Sequence, residues 1–218
     1  MRSKIGRKPL IRRLALCALL FALLARGAQA QRLVALDVSV GANNGGQRLA
    51  ASAWLPLTTL LERITLSGGA RLTSYNGESG TFGNRGTVTA ALTPRLNFPS
   101  QVVGFAIAVQ AEVAIVGPLS VGFNIDLAGV AAGGDQSVAG LTARVQRGSL
   151  LLGGSPDVGA LNSETYVAWA FAPTFTFRAG TTHFVTNYEV RDPASPGVTA
   201  AKYQQFKTLP FVAVGWRF

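Results

Sequence analysis

The residues best able to do chemistry are few and scattered. The chain has one histidine, His183, inside Thr181–Asn187, with Glu189 further on. A single imidazole excludes a multi-histidine metal site. It leaves general-base catalysis, which needs a hydroxyl or thiol nucleophile within hydrogen-bond reach. Position 185 is Val rather than Ser, and Thr186 is a poor substitute nucleophile. The plainer reading is a histidine near the end of a strand, held by a structural hydrogen bond. Glu112, Asn124 and Asp126 could gather around a cation, or they could hydrogen-bond inside the fold. Arg144 and Arg147 could meet phosphate groups, or they could simply be solvated. Glycine pairs occur, but none follows a strand and precedes a helix as a phosphate-binding fingerprint requires. The residues therefore assign no catalytic site, cofactor or metal.

The elements that carry these residues read as long strands. From Val103 to Ile115 the odd positions are Val, Phe, Ile, Val, Ala, Val and Ile, and the even ones are Gly, Ala, Gln, Glu and Ala. After Val116-Gly117-Pro118 the pattern resumes, with Leu119, Val121, Phe123, Ile125 and Leu127 alternating with Ser120, Gly122, Asn124, Asp126 and Ala128. Period-2 alternation gives each strand one apolar and one small or polar face. Strands of about 12–15 residues are twice the usual globular length, and tilted by about 45° they cross a hydrocarbon layer of about 30 Å.

Residues 1–30 read as a secretory signal peptide. Arg2, Lys4, Arg7, Lys8, Arg12 and Arg13 precede an apolar run, Leu14–Leu24, and Ala28-Gln29-Ala30 fits the small-x-small cleavage rule. Cys17, the one cysteine, lies in that run, so the exported domain, 31–218, has no disulfide framework. Seven of the 20 basic residues and none of the 10 acidic ones fall in 1–30, which leaves thirteen against ten. The strong basicity belongs mostly to the leader, and nucleic acid is not an indicated partner.

Eight strands are expected, near 32–42, 47–57, 61–75, 103–115, 119–130, 164–171, 174–188 and 205–218. The second has poorly distinguished faces. The short connections are Thr58–Leu60, Val116–Pro118 and Ala172–Pro173; the turn Asn43–Gly46 is also short but is the exception, falling on the side of the long ones. The long ones are Asn76–Ser100, Ala131–Ser163 and Glu189–Gln204, the first with a strand-like stretch at Thr87–Leu96. Pro210 within the last strand predicts a bulge. Short turns on one side, longer loops on the other and an even strand number are the pattern of an antiparallel up-and-down transmembrane β-barrel with periplasmic termini.

The chain ends Val212, Val214, Trp216, Phe218. This resembles the C-terminal strand of bacterial outer-membrane proteins, and the whole exported part looks like a small eight-stranded outer-membrane β-barrel. Gly117–Gly129 and Gly159–Glu164 are similar to barrel proteins of environmental and gliding bacteria and imply no activity. The resemblance implies location in the outer membrane, contact with its lipid and lipopolysaccharide, and reading of Trp216 and Phe218 by the barrel-assembly machinery. Small outer-membrane enzymes that deacylate lipid A place a Ser two positions after the His; Val185 departs from that.

Alternation alone does not say which face is wet, and a lipocalin-like soluble barrel would alternate too. The non-apolar face is mostly Ala, Gly, Ser and Thr, which suits a narrow packed interior. Trp169, Phe171, Phe175, Trp216 and Phe218 gather at the turn end, as an interfacial girdle does. Charges inside so small a barrel must be paired. Glu112 and Arg178 point inward at similar height, with Arg217 near them, so a Glu112–Arg178 pair shared with Arg217 is expected. Asp126 joins this structural network. Matching Ile115 with Leu119 across the turn puts Gln110 opposite Asn124. The functional expectation is a non-enzymatic barrel with a structural or surface-binding role; a small pore or transport accessory is the first alternative and a lipid A-modifying deacylase-like enzyme the lesser one.

Overall fold

A computed structural model describes residues 34–77, 83–84, 100–138, 141–150, 160–191 and 199–218. The signal-peptide reading of 1–30, the stretch 87–96 and the tips of the long loops lie outside these residues. Among the described residues there are twelve strands: β1 (Ala35–Asn43), β2 (Gly46–Leu60), β3 (Ile64–Gly77), β4 (Gly83–Asn84), β5 (Ser100–Val116), β6 (Leu119–Gly133), β7 (Gln136–Val138), β8 (Leu141–Val145), β9 (Gly148–Leu150), β10 (Ala160–Trp169), β11 (Phe175–Arg191) and β12 (Thr199–Arg217). Eight of them, β1, β2, β3, β5, β6, β10, β11 and β12, pair antiparallel in chain order. The last closes on the first, from Ala35–Arg217 to Gly41–Phe211. Closure leaves these strands no free edge, the one arrangement of sheet that satisfies its own backbone in lipid.

Alternation sets the two faces. Val38, Leu72, Val103, Phe105, Ile107, Phe123, Val167 and Val214 are exposed on the outside, whereas Asp37, Arg71, Asn124, Glu164 and Arg178 are buried within. A soluble barrel with these apolar residues at its centre is therefore excluded. At the turn end Trp169, Phe171, Phe175, Trp216 and Phe218 form an unbroken outward row, with successive ring centroids 4.5–5.9 Å apart.

Several boundaries differ from the sequence expectation. The connection placed at Thr58–Leu60 is Leu61–Arg63. Leu61 and Glu62 both take left-handed backbone (φ 51° and 57°), and the Arg63 N–H donates to the Leu60 carbonyl at 3.1 Å. A bulge between Pro56 and Thr58 delays the turn by absorbing one residue. Across Gly117-Pro118, Leu119 pairs with Val116 rather than Ile115, yet Gln110 does face Asn124 because a second bulge takes up Ile115. Pro210 pairs with Thr181 in register and makes no bulge; the pairing of β12 to β1 stops at Phe211, so the residue lacking an N–H sits where that ladder has ended.

The second and third long connections are more ordered than expected. β11 and β12 run on to Arg191 and from Thr199. Within the second, β8 pairs with β11 at Tyr188–Val190, and β9 pairs with β6 at Ala128–Val130. β10 begins only at Ala160, so β8 and β9 complete the wall above its start. Ala143 and Val145 of β8 join Tyr75, Phe184, Tyr188 and Leu209 in an apolar cluster that fills the loop end of the barrel.

Candidate functional site

The interior at mid-height is a charged layer, and six of the eight strands contribute to it by alternation. β1 supplies Asp37 and Ser39, β2 Arg48, Ser52 and Trp54, β3 Arg71, β6 Asn124 and Asp126, β10 Asn162 and Glu164, and β11 Arg178 and Thr182. All are buried. Glu164 is the hub. Its Oε1 lies 2.7 Å from Arg48 Nη2, and its Oε2 lies 3.7 Å from Arg71 Nη2 and 3.8 Å from Arg178 Nη1. The Asn124 amide donates to the same Oε2 at 2.7 Å.

Asp126 takes Arg71 Nη1 at 3.1 Å on one oxygen and the Asn162 backbone N–H at 3.0 Å on the other. Asp37 holds Arg178 Nη2 at 2.6 Å and accepts from the Trp54 indole at 2.5 Å. With its oxygen turned to the arginines, the Asn162 amide accepts from Arg48 at 2.7 Å and Arg71 at 2.5 Å, and donates to Thr182 at 2.6 Å. Arg178 stacks over the Tyr166 ring at 4.7 Å, and Arg71 over Trp54 at 5.5 Å. Three guanidinium groups thus face three carboxylates, and the layer is neutral. Contacts run across the barrel between strands that are not neighbours, such as Ser39 Oγ to Glu164 at 3.4 Å and Arg48 to Glu164. In an eight-stranded barrel, whose bore is just wide enough for side chains, such contacts fill the lumen.

Backbone packing makes room for two of the large interior aromatics, Tyr166 and Trp54. Tyr166 pairs with Gly180 on one side and Gly122 on the other. A Cβ on Gly122 would stand 2.3 Å from the Tyr166 ring, and one on Gly69 would stand 2.5 Å from the Trp54 ring.

The expected Glu112–Arg178 pair is not formed. Arg178 is held by Asp37 and Glu164, and Tyr166 lies between it and Glu112, with its hydroxyl donating to Glu112 Oε2 at 3.4 Å. Glu112 faces the interior but accepts from Ser120 Oγ at 2.9 Å and stands 3.7 Å from Arg217. The structure places Asp126 in the charged layer and Trp216 and Phe218 on the outer face. A cation among Asp126, Asn124 and Glu112 is displaced by Arg71, whose guanidinium bonds both Asp126 and Asn124. His183 is half-buried, bonded through Nδ1 to Thr208 Oγ1 at 2.9 Å and stacked on Phe206. Thr186 is buried on the opposite face, so the two cannot act together. Arg144 pairs with Asp135 at 3.2 Å on the surface.

Sequence reasoning missed Asp37, Arg48, Arg71, Trp54 and Glu164 as members. Asp37 and Arg71 already stood on the polar face of their strands, so a count of inward charges would have found them. Arg48 was hidden by the blurred alternation of its strand, and Glu164 by its place as the first residue of an expected strand, where no alternation precedes it to fix its face.

A closed antiparallel sheet of eight long strands, apolar outside and ionic inside, defines a class: the small transmembrane β-barrel of outer-membrane type. No family model matches the chain, and no curated protein matches it by sequence. Among solved structures it is similar to Neisserial surface protein A, with a TM-score of 0.47, 12% identity, and 87% of this chain and 98% of that one covered. It is also similar to Ail, the attachment invasion locus protein of Yersinia pestis, with a TM-score of 0.39, 11% identity, and 85% and 97% covered. A major outer membrane protein from Thermus thermophilus gives a TM-score of 0.35 at 9% identity over 87% and 100%.

Proposed function

We propose that the protein is a non-enzymatic barrel of the bacterial outer membrane, with a structural or surface-binding role carried by its longer loops. The observation that supports this reading best is the neutral layer around Glu164, whose cross-barrel contacts leave the lumen occupied by the protein's own side chains. Binding then falls to the loop end, where β4, β7, β8 and β9 extend the sheet. The outward apolar face contacts lipid, lipopolysaccharide surrounds the loop end, and the barrel-assembly machinery reads the strand carrying Trp216 and Phe218. Residues 1–30 direct export and are removed in the course of it.

Three experiments test the reading. Fractionation should recover the protein in the outer membrane with heat-modifiable gel mobility. Purified protein in a planar bilayer should give no stable conductance steps; regular steps would transfer the proposal to the pore alternative. Incubation with lipopolysaccharide should release no fatty acid, and release abolished by His183→Ala would instead establish an enzyme.

A further inference from the structure

The charged layer divides the interior into unlike halves. Toward the loops the space is packed by Tyr75, Phe184, Tyr188 and Leu209. Toward the short turns it is not packed: a cavity of about 480 Å³ lies there, lined among others by Asp37, Ser67, Gln110, Glu112, Arg178 and Arg217. Its roof is the Asp37–Arg178 pair. Its walls are the ends of β1, β2, β3, β5, β11 and β12 that carry the turns and both chain ends. The volume lies within the range of about 300–1,000 Å³ usual for small-molecule pockets.

We propose that this cavity is a binding site for a small zwitterion of the amino-acid or short-peptide class, entering from the turn side. This goes beyond the loop-borne role proposed above, and neither depends on the other.

Three observations carry it. First, the cavity reaches up to the buried Asp37–Arg178 pair of the charged layer, whose side chains line it. Second, its lining holds both signs of charge in balance, Asp37 and Glu112 against Arg178 and Arg217, so it disfavours a solute with a net charge and suits one carrying both. Third, these groups have capacity to spare. Glu112 and Arg217 stand 3.7 Å apart, beyond hydrogen-bond range, and the Arg217 side chain is 43% exposed at the mouth. Arg178, in the roof, is engaged by Asp37 at 2.6 Å, so the free capacity lies at the mouth. A ligand ammonium fits Glu112, which accepts only, and a ligand carboxylate fits the guanidinium fork of Arg217.

The test is calorimetric titration of the whole protein in detergent micelles with L-alanyl-L-alanine, its N-acetyl form, its C-terminal amide, and the doubly capped form. Trp54 borders the cavity from inside the barrel, so its fluorescence gives a second readout. Saturable binding of the free dipeptide is expected, weakened about tenfold or more by either cap, as loss of a charge-assisted hydrogen bond implies. Glu112→Gln should weaken the free dipeptide by a similar factor and leave the N-acetyl form unaffected. Arg217→Gln should do the same with respect to the amide. Equal binding of free and capped peptides, or no saturation at millimolar concentration, overturns the proposal and leaves a water-filled vestibule. Should a variant lose its heat-modifiable mobility, the comparison of the four peptides on the unaltered protein still decides.

Discussion

Glu164 is a single carboxylate facing three guanidinium groups, with its side chain 1% exposed. An isolated buried charge costs several kcal/mol, and the layer tolerates its six charges only because each has a partner. Glu164→Gln keeps the shape and removes the charge, leaving three arginines to share Asp37 and Asp126. It should destabilise the refolded barrel by about 3–5 kcal/mol, read as a shift in the urea midpoint of heat-modifiable mobility. The same chain holds its own control. Arg144 and Asp135 pair at 3.2 Å with side chains 61% and 52% exposed, so water screens them, and Arg144→Ala should shift stability by no more than about 1 kcal/mol. Equal effects of the two substitutions would refute the view that burial decides the worth of these pairs. At this scale the sequence was partly legible. Inward position could be read for Glu112, Asp126 and Arg178, because alternation fixes the face. Partnership could not, because it depends on which residues meet across the lumen. Arg178 takes Asp37 from the neighbouring β1–β12 wall, and Tyr166 screens it from Glu112.

Strands of the barrel were legible where one face is continuously apolar, as in β5 and β6, and blurred where both faces mix small and large residues, as in β2. The turn after β2 was misplaced for a specific reason. Leu61 and Glu62 adopt φ of 51° and 57°, and neither residue type signals a left-handed turn as Asn or Gly does. Small residues within strands also have a meaning that alternation does not give. Gly122 and Gly104 both point inward, but a Cβ on Gly122 would meet the Tyr166 ring at 2.3 Å, whereas one on Gly104 would find only the Val130 carbonyl at 3.6 Å. Tyr166 cannot easily withdraw, since Arg178 stacks on it and Gln110 donates to its hydroxyl. Gly122→Ala should therefore cost about 1–3 kcal/mol by overpacking, and Gly104→Ala should be neutral or stabilising by up to about 1 kcal/mol through a less flexible unfolded chain. Chemical unfolding of the two variants in parallel checks the contrast, and a cost for Gly104→Ala as large as that for Gly122→Ala would show that glycine flexibility, not the space beneath Tyr166, is what the strand requires.

For the whole molecule, the outer surface and the interior have exchanged the roles they have in a soluble protein. Phe105, Ile107 and Phe123 are 50%, 52% and 44% exposed, while Arg48, Arg71 and Arg178 are among the most buried residues. Hydrocarbon as the outer solvent explains both facts, because it accepts the apolar face and gives charges no alternative to pairing within. The same explanation makes the effect of an outward charge depend on depth. Ile107 lies mid-strand, opposite Ala70 and Ala128, whereas Ile115 lies beside the Gly117-Pro118 turn at the level of the interfacial aromatics. Folded into phosphatidylcholine vesicles, Ile107→Arg should lose about 2–4 kcal/mol and Ile115→Arg about 0–1 kcal/mol, measured by urea titration of the folded fraction. In water the two sites would be alike, since both side chains are half exposed, at 52% and 55%. A depth-independent result would mean that the apolar face is covered by something other than a bilayer.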